Sequence, residues 1–300
     1  MIKKFLLIFM ILCSVAGCNS DTAKQDDRIQ IVCTSFAQYD WTRELTKGAE
    51  DMFNITLLTD NGTDIHSYQS TADDIIRISS CDMLIYTGGE SEGWVLDAAK
   101  NNPDIKIINM LSLTKEREHH GHAPDEHTWL SVKDSISICN EISNALQELL
   151  PEQKTLLPGN AKLYTDSLKA LDEKYTSAIN DAKRNVLVFA DRFPFSRMTE
   201  DYGIDCYAAF PGCSAETEAS FETVKKLASA VDENDIKFIM ITDNSRHDLA
   251  KTVIENTAGK NQEILSLNSM QTVTKTDLET GLNYLDVMEE NLETLKTALN

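Results

Sequence analysis

The chain has no CxxC pair, no second long apolar run and no surplus of positive charge. Each absence removes a class of function. Without CxxC spacing, zinc-ribbon and thioredoxin-like modules are out. Past the first twenty residues no stretch is long and apolar enough to cross a bilayer as a helix. Lysine and arginine number 28 against 48 acidic residues, a formal net charge of −20, so phosphate backbones are repelled and nucleic acid is excluded as a partner. Enzyme signatures are missing as well: there is no GxSxG elbow, no HExxH helix and no P-loop. The glycines of "TGGESEGW" follow an apolar run, but not at the GxGxxG spacing of a dinucleotide site. Cys33, Cys81, Cys139, Cys206 and Cys213 are an odd set in the body of the chain. Buried thiols are the expectation for them.

What is present begins at the N-terminus. Lys3 and Lys4 precede the apolar "FLLIFMILCSVAG", which has the layout of a secretory signal and is short for a membrane span. It closes on Val15-Ala16-Gly17-Cys18, which resembles the bacterial lipoprotein signal. There the leader is cut before the cysteine, whose sulfur carries a diacylglycerol. The alternative is a plain secretory signal with an incidental cysteine. Residues 1–17 are thus expected as a leader, Cys18 as the lipidated residue and 18–28 as a solvated tether. Loss of Lys3 and Lys4 takes the charge from −20 to −22.

The body alternates strand and helix patterns. "IQIVCTS", "NITLL", "DMLIYTG" and "IKIIN" read as strands of a first half; "RNVLVFA", "IDCYAAF", "IKFIMIT" and "EILSL" as strands of a second. Helical periodicity separates them, which predicts parallel sheets with crossover helices. Between the halves, Pro158 to Asn185 carries Leu163, Leu168, Leu171, Tyr175 and Ile179 at mostly helical steps. A helix there spans roughly 40 Å and acts as a stiff strut. The expectation is an α/β protein of two lobes, each a mostly parallel four-stranded sheet flanked by helices, joined by a long rigid helix. The lobes fall at 29–157 and 186–300, with the helix at 158–185. The alternative is a long surface helix inside one lobe.

Ligands bind beyond the C-terminal ends of strands in open α/β sheets. The polar residues there are Asp64 and His66, then Asp125, Glu126 and His127, then Asp191 and Arg192, then Asp243. Imidazoles and carboxylates together form a shell for a divalent first-row metal. Singly, each has a plainer role: His66 as a solvated loop histidine, His127 as a structural group beside Trp129 and Leu130, Asp243 as a helix cap, Asp191 as a local partner of Arg192. His119, His120 and His122 sit among Glu116 and Glu118 in a charged stretch, either a mobile metal collector or a polar loop. His247 reads as surface.

Two segments carry a family resemblance: "NGTDIHSYQSTADDIIRISSCDMLIYTGGESEGWV" and "DEHTWLS". They resemble the metal-histidine motifs of bacterial metal-binding lipoproteins that serve ABC importers of zinc or manganese, the cluster A-I solute-binding proteins. "AAFPGCSAETEASFETVKKLA" and "NYLDVMEENLETLKTAL" are similar to further family segments, so the likeness runs from Ile29 to Leu299. It implies His66 and His127 as N-lobe ligands and Asp243 as a C-lobe carboxylate. The remaining family ligand, ten residues before the tyrosine of Tyr202-Gly203, falls on Arg192, which stays protonated and cannot coordinate a cation. Asp191 then takes its place, or three ligands plus water, or Glu216 or Glu218.

The resemblance implies a non-enzymatic, monomeric protein on the extracytoplasmic face of a bacterial membrane. It would pass Zn2+, with Mn2+ as alternative, to an ABC permease and its ATPase. Imidazole favours zinc, whereas manganese prefers oxygen. Two other classes remain: a metal-dependent hydrolase with Arg192 as anion binder, and a surface adhesin.

Overall fold

The computed structural model describes residues 26–115, 125–211 and 219–300. The leader with Cys18, the His119–His122 stretch with its glutamates, Cys213, Glu216 and Glu218 lie outside the described residues. Eight strands form two parallel sheets. The first holds β1 (Ile29–Cys33), β2 (Phe53–Leu57), β3 (Met83–Tyr86) and β4 (Lys106–Asn109), in the order β2-β1-β3-β4. The second holds β5 (Val186–Phe193), β6 (Asp205–Pro211), β7 (Phe238–Thr242) and β8 (Glu263–Leu267), in the order β6-β5-β7-β8. All eight expected strands are present, and the two sheets share one topology.

Strand side chains alternate between faces, and here both faces are covered. On β1, Ile31 and Cys33 enter the largest core cluster while Val32 enters a smaller one on the outer face. On β5, Leu187 and Phe189 enter that same large cluster, and Val188 and Ala190 enter an outer one. The large cluster therefore takes one face of each sheet and joins the two halves through a single apolar interior. Cys33, Cys81 and Cys139 are buried, Cys206 is half-buried, and all four are free thiols.

The connecting helix runs Leu156–Asn180 and spans about 37 Å at 1.5 Å per residue. It starts two residues before Pro158, because a first-turn proline forfeits no intrahelical hydrogen bond. Its buried face is Leu157, Ala161, Tyr164, Thr165, Leu168, Leu171, Tyr175 and Ile179. Leu163, expected on that face, is instead 71 % exposed, and Tyr164 takes the inward position. Tyr175 donates to the Met288 carbonyl at 2.7 Å, tying the strut to the C-terminal helix Tyr284–Ala298.

That C-terminal helix belongs in sequence to the second half but also packs on the first. Tyr284 donates its N–H to Asp40 Oδ2 at 2.9 Å and its hydroxyl to the Trp129 carbonyl at 2.7 Å, with Ser135 Oγ at 2.9 Å. A seven-residue helix absent from the expected elements, Ser196–Tyr202, follows β5. Its Arg197 is fully buried, donating to Asp134 Oδ2 at 2.8 Å and to the Asp125 carbonyl at 2.9 Å.

Candidate metal centre

His66 sits in a 3-10 turn, Ile65–Ser67, entered through Asp64, whose Oδ1 accepts the His66 N–H at 3.0 Å. His127 precedes the 3-10 turn Thr128–Leu130, and Asp125 Oδ1 accepts its N–H at 3.0 Å. Both histidines are thus aimed by an aspartate two residues upstream, an Asx arrangement that sets backbone and ring together. The result brings His66 Nε2 to 3.1 Å from His127 Nε2.

The other ring nitrogens are already engaged. His127 Nδ1 lies 2.6 Å from Asp125 Oδ1. Burial by itself pushes the Asp125 carboxyl up, but the charge of His127 and its hydrogen bonds outweigh this and hold it at about 2. An ionised carboxylate only accepts, so Nδ1 carries the proton, and the neutral ring then presents its lone pair at Nε2. His66 Nδ1 lies 2.7 Å from Ser91 Oγ, with Glu126 Oε2 at 3.8 Å. In the tautomer whose Nδ1 donates to Ser91, the second Nε2 lone pair faces the first. Two facing lone pairs call for a cation between them. Zinc–nitrogen bonds of about 2.05 Å at tetrahedral angles set two donors roughly 3.3 Å apart, close to the spacing found.

The inner wall is anionic. Asp125 Oδ2 and Glu126 Oε2 are buried with no hydrogen-bond partner among the described residues. Burial pushes the Glu92 carboxyl up; its Oε2 accepts the N–H groups of Thr87 at 2.6 Å and Gly88 at 3.0 Å. Gly88 and Gly89 make this wall possible. Gly88 has φ +98° and leaves no room for a Cβ beside the Asn109 side chain. A Cβ on Gly89 would collide with the Glu126 side chain.

The opposite wall differs from expectation. Asp191 spends its carboxylate on the second sheet: Oδ2 accepts the Thr242 N–H at 3.1 Å and hydroxyl at 2.5 Å, and Oδ1 accepts the Arg192 N–H at 2.8 Å. Asp243 is exposed and caps no helix, because the following helix starts only at Asp248. Its Oδ1 accepts the N–H and hydroxyl of Ser269 at 3.0 and 3.1 Å. Neither aspartate joins the histidine pair: among the described residues no group of three or more His, Cys, Asp or Glu side chains is placed to share an ion. His247 is exposed, with φ +63°.

Gln271 and Arg192 stand there instead. Gln271 Nε2 lies 3.3 Å from His127 Nε2 and 3.5 Å from Asp64 Oδ1, and Arg192 Nη1 lies 3.7 Å from Asp64 Oδ2. Gln271 rides on a strap between the halves. Trp129 donates its indole N–H to the Ser269 carbonyl at 2.9 Å, Gly62 donates to the Val273 carbonyl at 3.0 Å, and Asn61 bridges Thr274. Two residues past His127 and two residues before Gln271, one hydrogen bond thus sets both in register. Sequence reasoning passed over Gln271; its position just past β8 was the available signal.

Two parallel four-stranded sheets, braced by one helix and holding paired imidazoles beside a strap from the second half, define a two-lobed solute-binding protein. The chain belongs to the zinc-uptake complex component A, periplasmic (ZnuA) family, whose model matches residues 31–298. That family is one of transport components, not of enzymes. The chain is 30% identical to the zinc-binding lipoprotein AdcA of Streptococcus pneumoniae serotype 4, over 98% of this chain and 60% of that protein. It is 26% identical to the high-affinity zinc uptake system protein ZnuA of Bacillus subtilis, over 100% of this chain and 99% of that protein. Among solved structures, the Zn(II)-bound ZnuA-like domain of Streptococcus pneumoniae AdcA superposes with a TM-score of 0.75 at 27% identity, covering 91% of this chain and 99% of that one. The chain spans about three fifths of the length of the streptococcal AdcA proteins it matches.

Proposed function

We propose that this protein captures a divalent metal outside the cytoplasm and passes it to a membrane permease driven by an ATPase. His66 and His127 donate to the ion. Zinc is the preferred cargo, because paired imidazoles suit a borderline-soft metal, and manganese is the alternative. One observation carries the reading: two Nε2 atoms 3.1 Å apart, each on a ring whose Nδ1 is held by an oxygen partner. Such oxygen partners fix the tautomer and raise ligand basicity in metal sites. Capture is by ligand exchange, in which protons compete with the metal for the imidazole nitrogens.

Asp191 and Asp243 act in this reading by holding strand ends and the Gln271 strap around the cleft. The proposed division is a leader at 1–17, a tether at 18–28, lobes at 29–157 and 186–300 and a helix at 158–185. A lipidated Cys18 holds the monomer on the outer face of the membrane; the pneumococcal relative's naming as a lipoprotein supports this.

Calorimetric titration of the metal-free chain with zinc and manganese tests the site. His66→Ala and His127→Ala are each expected to abolish the tight event. Asp191→Ala and Asp243→Ala are expected to keep its one-to-one stoichiometry. Tight binding that survives both histidine substitutions overturns the reading, and loss on either aspartate substitution makes that residue a ligand.

A further inference from the structure

We propose that the cleft takes its metal together with a small bidentate carboxylate, the ion held by His66 and His127 and the anion paired with Arg192. The proposal rests on the metal reading above and names the form in which the cargo is held. Tetrahedral zinc needs four donors. The described residues bring two imidazoles to the centre and no third histidine, cysteine or carboxylate to share the ion with them. The side chains standing on the far wall are an amide and a guanidinium, Gln271 and Arg192. A guanidinium cannot coordinate a cation; it binds carboxylates through a fork of N–H donors.

Arg192 is placed for that task. Its backbone is fixed, since its N–H donates to Asp191 Oδ1 at 2.8 Å and Asp191 is bonded in turn to Thr242 of β7. Its side chain is not locked: it is 47% exposed and its ion pair with Asp64 is long, at 3.7 Å. Asp64 stands between Arg192 and Gln271, and Gln271 touches His127. The guanidinium is therefore linked to the imidazole pair through two side chains, Asp64 and Gln271, on the wall where the anion would stand.

Charge sets the order of binding. Asp64, Asp125 and Glu126 make the inner wall anionic, so a free carboxylate is repelled from the empty cleft. Two neutral imidazoles leave the full charge of a divalent ion in place. A dicarboxylate with two oxygens on the metal completes four-coordination, displaces water, and turns its outer oxygens to Arg192. The anion follows the metal and does not precede it.

Equilibrium dialysis of the full chain against radiolabelled oxalate, with and without zinc, tests this. The expected result is retention of about one oxalate per bound zinc and none without zinc. At saturating zinc, the affinity of Arg192→Gln for oxalate should fall roughly 10- to 100-fold, the worth of a charge-assisted bidentate contact. Zinc retained without oxalate overturns the proposal and leaves the metal site standing. So does undiminished oxalate retention by Arg192→Gln. Failure of the unsubstituted chain to retain zinc overturns the metal reading itself, and this proposal with it.

Discussion

Asp125→Asn removes one charge from behind His127 while preserving shape. Asp125 Oδ1 accepts both the N–H and the Nδ1–H of His127, and an asparagine carbonyl can accept the same two bonds. What disappears is the anion that strengthens the imidazole as a donor. Against burial, the contact with His127 holds Asp125 at about 2, compared with the usual 3.8. Partners behind metal-bound histidines are worth about 10- to 100-fold in affinity, or roughly 1.4–2.8 kcal/mol. The zinc affinity of Asp125→Asn is therefore expected to fall 10- to 100-fold in competition against a chromophoric chelator at neutral pH. Arg197 stays paired, because it contacts Asp134 and only the Asp125 carbonyl. The acid limb gives a second reading. A depressed carboxyl contributes stability that is complete above 3.8 and is lost as pH falls through about 2. That component should vanish from the unfolding profile of the variant. A folded variant with zinc affinity within threefold of the parent would refute the assignment of Asp125 as the group that tunes His127.

Asp40 titrates in the opposite sense. Burial pushes its carboxyl up to about 6, against the hydrogen bond from Tyr284 N. The folded state then holds its proton more tightly than the unfolded chain, so stability falls as pH rises from 3.8 through 6, by about 3 kcal/mol at most. Denaturant titrations at pH 5 and 7 should show Asp40→Asn losing that dependence. Tyr284→Phe removes a hydroxyl from the Trp129 carbonyl and Ser135, leaving buried polar atoms short of a partner. A loss of about 1–3 kcal/mol is expected by chemical denaturation, with zinc stoichiometry unchanged.

The sheets were legible because parallel strands covered on both faces read as short apolar runs, and Ile31, Val32 and Cys33 or Leu187, Val188 and Phe189 are such runs. The histidine pair was legible from strand-end position and from resemblance. The far wall was not. Asp191 and Asp243 have ligand chemistry at ligand positions, yet their oxygens serve Thr242 and Ser269, bonds that no linear pattern records. Gln271 lies between Met270 and Thr272 in a mixed polar and apolar stretch that reads as plain loop, and is brought to His127 through contacts with Trp129 and the Asn61 turn. The helix carrying Arg197 was too short, at seven residues, to show periodicity.

Because one continuous oily interior passes from the first sheet to the second, these halves cannot part like the shells of a clam without wetting that interior. Under the proposed function, loading and unloading then fall to small pieces at the mouth, such as the segment from Asn268 to Thr274 that reaches across from one half to the other. A docking permease that tugs this segment away from Trp129 would carry Gln271 off His127 and free the cargo, with the body of the molecule left at rest.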